Sequence, residues 1–284
     1  MDRPAPAATP STPKPSTPKP STPSAGSSSR QRLILRLLVT ELGLAAGEPD
    51  GKPAPARQAV LDCGGGSGSL AVPLAELGAE VTVVDASVDA LATLSRRAAE
   101  AGVADRVRPV QGDVESLADV VPTAAFDLVL AHDLLNSVEQ PADAVAGLAA
   151  AVRPGGAVSI VTANPVAAVL SRVLAGELEA ARALLRIQLD ESGPAELDLA
   201  GLHQLCARFE LAVVRIQGIG VFAELMPGGE LAASPGTGEL LAELESMTSA
   251  ISPYRDIALR LHLLARRPAG AGGLGAIARH GTPD

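Results

Sequence analysis

Val60-Leu61-Asp62-Cys63-Gly64-Gly65-Gly66-Ser67-Gly68 is the stretch on which the reading of this 284-residue chain turns. A short apolar run ends in a carboxylate, enters a glycine-rich turn, and leads into residues 69–77, which read as a helix stopped by Gly78. Glycine belongs where backbone must approach a ligand closely or take a positive φ. The helix start beyond such a turn offers N–H groups with no intrahelical partner. The unit is therefore strand, turn and helix, opening onto something that needs close backbone approach.

Outward from that unit the alternation of strand and helix continues. Residues 59–62 form the first strand and 80–85 (Glu-Val-Thr-Val-Val-Asp) the second. Ser87 caps a helix with Val88, Leu91, Leu94 and Ala98 on one face, ended by Gly102. Strands follow at 107–110 and 127–131, then a helix at 142–152. Pro154-Gly155-Gly156 turns the chain into a fifth strand at 157–162, and two more are expected at 212–217 and 259–265. Strands alternating with helices predict an α/β fold: a doubly wound, mainly parallel, seven-stranded Rossmann-like sheet with helices on both faces.

At the N-terminus the pentad Ser-Thr-Pro-Lys-Pro occurs at 11–15 and 16–20 and begins again at Ser21. Proline at that density removes backbone donors, and nothing there is apolar enough to offset the entropy of ordering. Residues 1–30 are expected to be a disordered tail and residues 269–284, rich in Gly and Pro, a flexible one. A single domain then spans 31–268. Its cofactor half occupies about 55–165, with acceptor-side decorations at about 165–200 and 221–253.

Hydrophobic residues make up 47% of the chain, enough for a sizeable core, but Ala and Gly weight the positive mean hydropathy. The most apolar stretch, 33–46, is interrupted by Arg36 and Glu41 and is too short to span a bilayer. It reads as an amphipathic helix, and with no secretory signal the expectation is a cytoplasmic protein away from membranes. Cys63 and Cys206 lie in apolar patterns and are expected to be buried thiols. Together with four scattered histidines they form no metal motif. The formal net charge is −9. The tail carries four cations and one anion, +3, so the body is −12, which does not favour nucleic acid. Four aromatic residues leave little for stacking bases.

Three features narrow the ligand of the glycine turn, which by itself also occurs in nicotinamide and flavin domains. The spacing Gly64-x-Gly66-x-Gly68 places Ser69 where a dinucleotide fingerprint has Gly or Ala. Asp62, at the tip of the first strand, suits a cation such as a sulfonium amino acid and disfavours a pyrophosphate. Asp85, at the tip of the second strand, is placed to accept both ribose hydroxyls. After the third strand, Asp113 can take an exocyclic amine of adenine and Val114 can donate its backbone N–H. His132 follows the fourth strand at the carboxyl edge and is the candidate catalytic residue, a general base if the acceptor is an amine or hydroxyl. A carboxylate acceptor, ionised at neutral pH, needs none.

Asp-x-Gly-x-Gly-x-Gly, the acidic tip of strand two, Gly112-Asp113-Val114 and Arg153-Pro154-Gly155-Gly156 together resemble the class I S-adenosylmethionine-dependent methyltransferases. A narrower likeness rests on Asp62-Cys63-Gly64-Gly65-Gly66, His132-Asp133-Leu134-Leu135, Asn164, Ala175-Gly176, Val221-Phe222 and His262-Leu263-Leu264-Ala265-Arg266-Arg267-Pro268. These resemble the tRNA 5-carboxymethoxyuridine methyltransferase family, in a form typical of a high-GC bacterium. The resemblance implies S-adenosyl-L-methionine as cofactor, held by Asp62, Gly64, Gly65, Gly66, Gly68, Asp85, Ala86, Asp113, Val114 and His132, with Arg32 (or Arg30) over its carboxylate. It implies a carboxylate acceptor on the wobble uridine of tRNA. The chain departs from that family at Asn136 and Ser137, at Asn164-Pro165-Val166, and at Gly220, where an arginine is expected. The acceptor is therefore either tRNA or a small metabolite. A non-catalytic cofactor-binding domain and a nicotinamide oxidoreductase stand as alternatives, the latter disfavoured by Ser69 and Asp62.

Overall fold

A computed structural model describes residues 25–44, 58–189, 197–223, 225 and 236–269, with side chains from Arg30 onward in the first segment. The expected tails at 1–24 and 270–284 lie outside the described residues. Residues 25–30, expected in the N-terminal tail, belong instead to a helix, α1 (Ala25–Leu42), whose Leu38 and Leu42 are buried. The apolar positions of 33–42 carry the helix, and it extends N-terminally through small and polar residues beyond the proline repeats.

Seven strands form one sheet: β1 (Ala59–Cys63), β2 (Glu80–Asp85), β3 (Val107–Gln111), β4 (Phe126–His132), β5 (Val152–Ala163), β6 (Ala212–Ile219) and β7 (Arg260–Arg266). Their order is β3-β2-β1-β4-β5-β7-β6. The pairings of β1 with β2 and β4, β2 with β3, and β4 with β5 are parallel. β7 is antiparallel to both its neighbours, so the sheet is mixed, and the expected mainly parallel order describes its first five strands. Strand β7 follows β6 in sequence and pairs directly with it. An antiparallel pair of that kind needs no crossover returning to the same edge, whereas the parallel strands each need one.

Because both faces of the sheet are covered, its central strands read as nearly unbroken apolar runs. On one face α1, α2 (Ala71–Glu76) and α3 (Val88–Glu100) pack Leu38, Leu74 and Leu94 with Val60, Val81, Val83 and Leu130. On the other, α4 (Pro141–Ala151) and α7 (Leu199–Arg208) bring Leu148, Leu202 and Cys206 to Leu61, Val129, Ile160 and Leu263. Helix α7 has no counterpart in the sequence reading. Val88, expected on the buried face of α3, is 59% exposed. It is the first helical residue and projects from the end of the helix, whereas Leu91, Leu94 and Ala98 are buried as expected. Both cysteines are free and buried, and burial pushes the Cys206 thiol up to about 11.

The decorations are α5 (Pro165–Leu174) and α6 (Leu178–Gln188) after β5, and α8 (Thr237–Thr248) between β6 and β7. Asn164 ties the first of these to the sheet. Its Oδ1 accepts from Val166 N at 3.1 Å as the cap of α5, and its Nδ2 donates to the carbonyls of Asp256 (2.9 Å) and Ala258 (2.7 Å). Asn164 is 3% exposed, so removing the amide would leave those carbonyls without water as well as the helix without a cap. Asn164→Ala is expected to cost about 2–4 kcal/mol, read as a lowered urea midpoint at unchanged m-value.

Candidate functional site

Strand order reverses between β1 and β4, and the carboxyl ends of those strands open a crevice of the kind that binds ligands in open α/β sheets. A cleft of about 250 Å³ occupies it, lined by Asp62, Gly64 and Gly65 from the β1 turn, His132 and Asp133 from the end of β4, Arg30 from α1, and Arg260 from β7. Arg260 is ion-paired with Asp133, whose backbone sits at φ +56°. Aspartate tolerates that left-handed conformation better than most residues.

Asp85, after the glycine turn, holds it by hydrogen bonds, and Asp62, before it, lies against Gly65. Asp85 Oδ2 accepts from Gly66 N at 2.9 Å and Oδ1 from Ser87 N at 2.8 Å, which ties the turn to the tip of β2. A carboxylate keeps acceptor capacity beyond two such bonds, so Asp85 can still receive hydroxyls from a ligand. Asp62 is 3% exposed and lies directly beneath the turn. A Cβ on Gly65 would stand 2.4 Å from Asp62 Oδ2 and 2.9 Å from Val83 Cγ1, so a side chain there has no room unless the carboxylate moves. Gly64 and Gly66 take φ +69° and +54°. At Gly68 (φ +77°) a Cβ would meet Leu94 Cδ1 at 2.2 Å, so this glycine lets the turn close against α3.

Burial, and next the charge of Asp85, push the Asp62 carboxyl up to about 7. A cation placed in the cleft would relieve that cost. His132 is pushed the other way, down to about 3, by burial and by its neighbour His262. It is therefore a neutral imidazole across the physiological range, and a weak base. His132 Nε2 is 2.8 Å from Ser159 Oγ, and Ser159 Oγ is 2.9 Å from His262 Nε2.

The structure brings Asp62, Gly64, Gly65 and His132 together in one cleft and joins Gly66 and Asp85 to it by a hydrogen bond. Ala86, Asp113 and Val114 are not among the residues lining it. Asp113 Oδ1 caps the 3-10 turn of Val114–Asp119 by accepting from Glu115 N at 2.9 Å, and the Val114 side chain is in the core. Arg32 faces a second, larger cavity of about 740 Å³ between α1 and α8, together with Arg36; Arg30 lines both spaces. The larger cavity is bounded on the α8 side by Glu239, Glu243 and Glu245. Glu245 is 6% exposed, and its carboxylate accepts from the backbone N–H groups of Val221, Phe222 and Ala223 at 2.8, 2.8 and 2.9 Å. A Cβ on Gly220 would make ordinary contact with Leu259 Cβ at 3.5 Å and Arg30 Cδ at 3.7 Å.

Sequence reasoning missed Ser159, His262, Glu245 and Arg260 as members of this region. The first two come from strands paired across the sheet, and only the pairing shows that they meet. Among the described residues there is no group of three or more metal-ligating side chains, and no helix is long and apolar enough to cross a membrane.

The chain is similar to known methyltransferases. The family described as "Methyltransferase domain" matches residues 60–156. The tRNA 5-carboxymethoxyuridine methyltransferase of Escherichia coli K12 is 26% identical over 216 residues, 75% of this chain and 82% of the relative. The ubiquinone biosynthesis O-methyltransferase of Paracidovorax citrulli is 40% identical over 105 residues, 37% of this chain and 43% of the relative. Among solved structures, the magnesium protoporphyrin IX methyltransferase of Synechocystis PCC 6803, with bound SAH, superposes with a TM-score of 0.54 at 15% identity, covering 85% of each chain. That likeness is one of fold.

The raised Asp62 carboxyl has a consequence for stability. The folded chain holds a proton there that the unfolded chain releases near its ordinary value, so the native state binds more protons between about pH 4 and pH 7. The stability associated with that proton is complete below about pH 4 and is lost as pH rises through about 7. The ligand-free Asp62→Asn variant, which cannot ionise, is expected to melt above the wild type at about pH 8 and to converge with it near pH 4. Melting curves across that range check it.

Proposed function

Because this chain is a class I S-adenosylmethionine-dependent methyltransferase, we propose that it methylates a carboxylate and releases a methyl ester. The observation that carries the proposal is the pairing of a neutral His132 with the arginines of α1. His132, at about 3, is a poor proton acceptor, and a hydroxyl or amine acceptor calls for a better one. A carboxylate brings no proton to remove. Arg30 stands where the two cavities meet, and Arg32 and Arg36 continue the cationic wall into the larger one. Arginine stays charged and matches a carboxylate in two-pronged geometry. Glu239 and Glu243 opposite limit how much negative charge the cavity takes, which fits one carboxylate better than a polyphosphate.

The chain's own residues fit the cofactor in the smaller cleft. Asp62 supplies an anion for a cationic ligand; the turn from Gly64 to Gly66 leaves backbone room beside it; Asp85 keeps acceptor capacity for ribose hydroxyls. S-adenosylmethionine supplies a methyl group on a sulfonium, so transfer to a carboxylate oxygen leaves a neutral thioether and moves no proton. The work left to the protein is alignment of the two groups and exclusion of water. Arg30, from the rim of both spaces, orients whichever carboxylate lies against it.

The relative from Escherichia coli makes the carboxylate of a modified tRNA nucleoside the first acceptor to test. A metabolite acid is the second reading. It is favoured by the net charge of −9 and by a cavity of about 740 Å³, within the usual range for small-molecule sites. Incubation with methyl-labelled cofactor and cell extract, followed by mild alkali, separates the readings. Label lost on alkali treatment is expected, in RNA for the first reading and in the small-molecule fraction for the second. Alkali-stable label in both fractions would overturn carboxylate methylation.

Two variants apportion the site. Asp85→Ala is expected to weaken binding of S-adenosylhomocysteine at least about tenfold, near 1.4 kcal/mol by calorimetry. Arg36→Ala, in the larger cavity, is expected to leave that affinity unchanged and to raise the acceptor KM about tenfold.

A further inference from the structure

Arg32, expected over the cofactor's carboxylate, lines only the larger cavity. The charged side chains of the smaller cleft are Asp62 and Asp133 against Arg30 and Arg260. Ala86, Asp113 and Val114, expected on the nucleoside, do not line it, which leaves the cleft for the amino-acid end of the ligand. That end carries a sulfonium, an ammonium and one carboxylate. The acids suit the two cations, and the carboxylate calls for one of the two arginines.

The arginines differ in what holds them. Arg30 is carried by α1 and lines both spaces, whereas Arg260 lines the cleft alone. Arg260 is the first residue of β7, opposite Ala163 at the end of β5 and Ile219 at the end of β6. Because β7 runs against those neighbours, its first residue stands at the carboxyl edge of the parallel strands, where ligands of such sheets bind. The backbone just before it is fixed on both sides: Leu259 N donates to Gly220 O at 3.1 Å, and Leu259 O accepts from Asn164 N at 3.0 Å.

The far end of the side chain is anchored as well. Arg260 Nη1 donates to Asp133 Oδ1, and the Asp133 backbone N–H donates to Val161 O at 2.8 Å. A guanidinium has five N–H donors in a planar fork, so this one bond leaves donors for a second carboxylate. The Arg260 side chain is 30% exposed, open enough to be reached from the cleft. A fork already held at both ends loses less freedom when it binds than a free arginine does.

We propose that Arg260 binds the carboxylate of S-adenosylmethionine, which makes the reversed strand β7 part of the donor site. Asp62, beneath the glycine turn, then faces the cationic part of the same ligand, so the two signs of charge are received at separate places in the cleft. The inference concerns the donor and does not depend on what is methylated.

Calorimetry with three thioethers tests it: S-adenosylhomocysteine, its decarboxylated analogue, which keeps the amine, and 5′-methylthioadenosine, which has neither group. Arg260→Gln is expected to weaken S-adenosylhomocysteine about tenfold and not to weaken the other two. Arg260→Lys, which keeps the charge but not the fork, is expected to fall between the wild type and Arg260→Gln for S-adenosylhomocysteine alone. If Arg260→Gln fails to fold, Arg260→Lys decides on the same comparison. Unchanged affinity for S-adenosylhomocysteine overturns the proposal and leaves methylation of a carboxylate standing. An equal loss for all three ligands also overturns it, because the variant then disturbs the cleft as a whole and not one carboxylate contact.

Discussion

A carboxylate buried at the tip of β1 is the constraint around which the rest of this site is arranged. Asp62 lies under a turn with no room for a side chain at residue 65, and its charge is disfavoured there by burial and by Asp85. Asp85 in turn is fixed by the backbone N–H groups of Gly66 and Ser87, which ties the turn to the tip of β2 above Asp62. A cation in the cleft would relieve the cost of charge at Asp62, and a second anion would add to it.

The second organising feature is the reversed strand. With β7 inserted antiparallel between β5 and β6, His262 and Ser159 meet beneath α1 and reach His132 at the rim of the cleft. The Ser159 hydroxyl serves both rings through their Nε2 atoms, while both Nδ1 atoms are buried without a hydrogen-bond partner. The same strand delivers Arg260 to Asp133 at the end of β4. Both connections exist only because β7 runs against its neighbours.

How much of this could be read in the chain follows from the range of the interactions. The bounds of β2 and the cap at Ser87 are local, set by an apolar run and by a side chain three residues from its donor, Ala90. They were legible, as was the strand–turn–helix around Asp62. Ser159 and His262 are 103 residues apart in sequence, and neither carries a local signal that the other is its partner. Glu245 reads as one more acid on an exposed helix, yet it binds three consecutive backbone N–H groups and joins α8 to the end of β6. Gly68 illustrates the same limit: the motif shows a glycine there, and only the packing of the turn on α3 shows that Leu94 leaves no room for a Cβ.

Helix α1 reaches both cavities and carries three of the cations that line them. Its first cation, Arg30, comes within van der Waals distance of Gly220, where the resemblance implies an arginine. Arg30 lies near the start of a helix that meets α8 across the larger cavity. Its position therefore depends on how α1 lies over the sheet, and the same helix carries Arg32 and Arg36 with it. Any movement of α1 shifts all three cations together, which couples the donor cleft and the larger cavity through one element rather than through independent side chains.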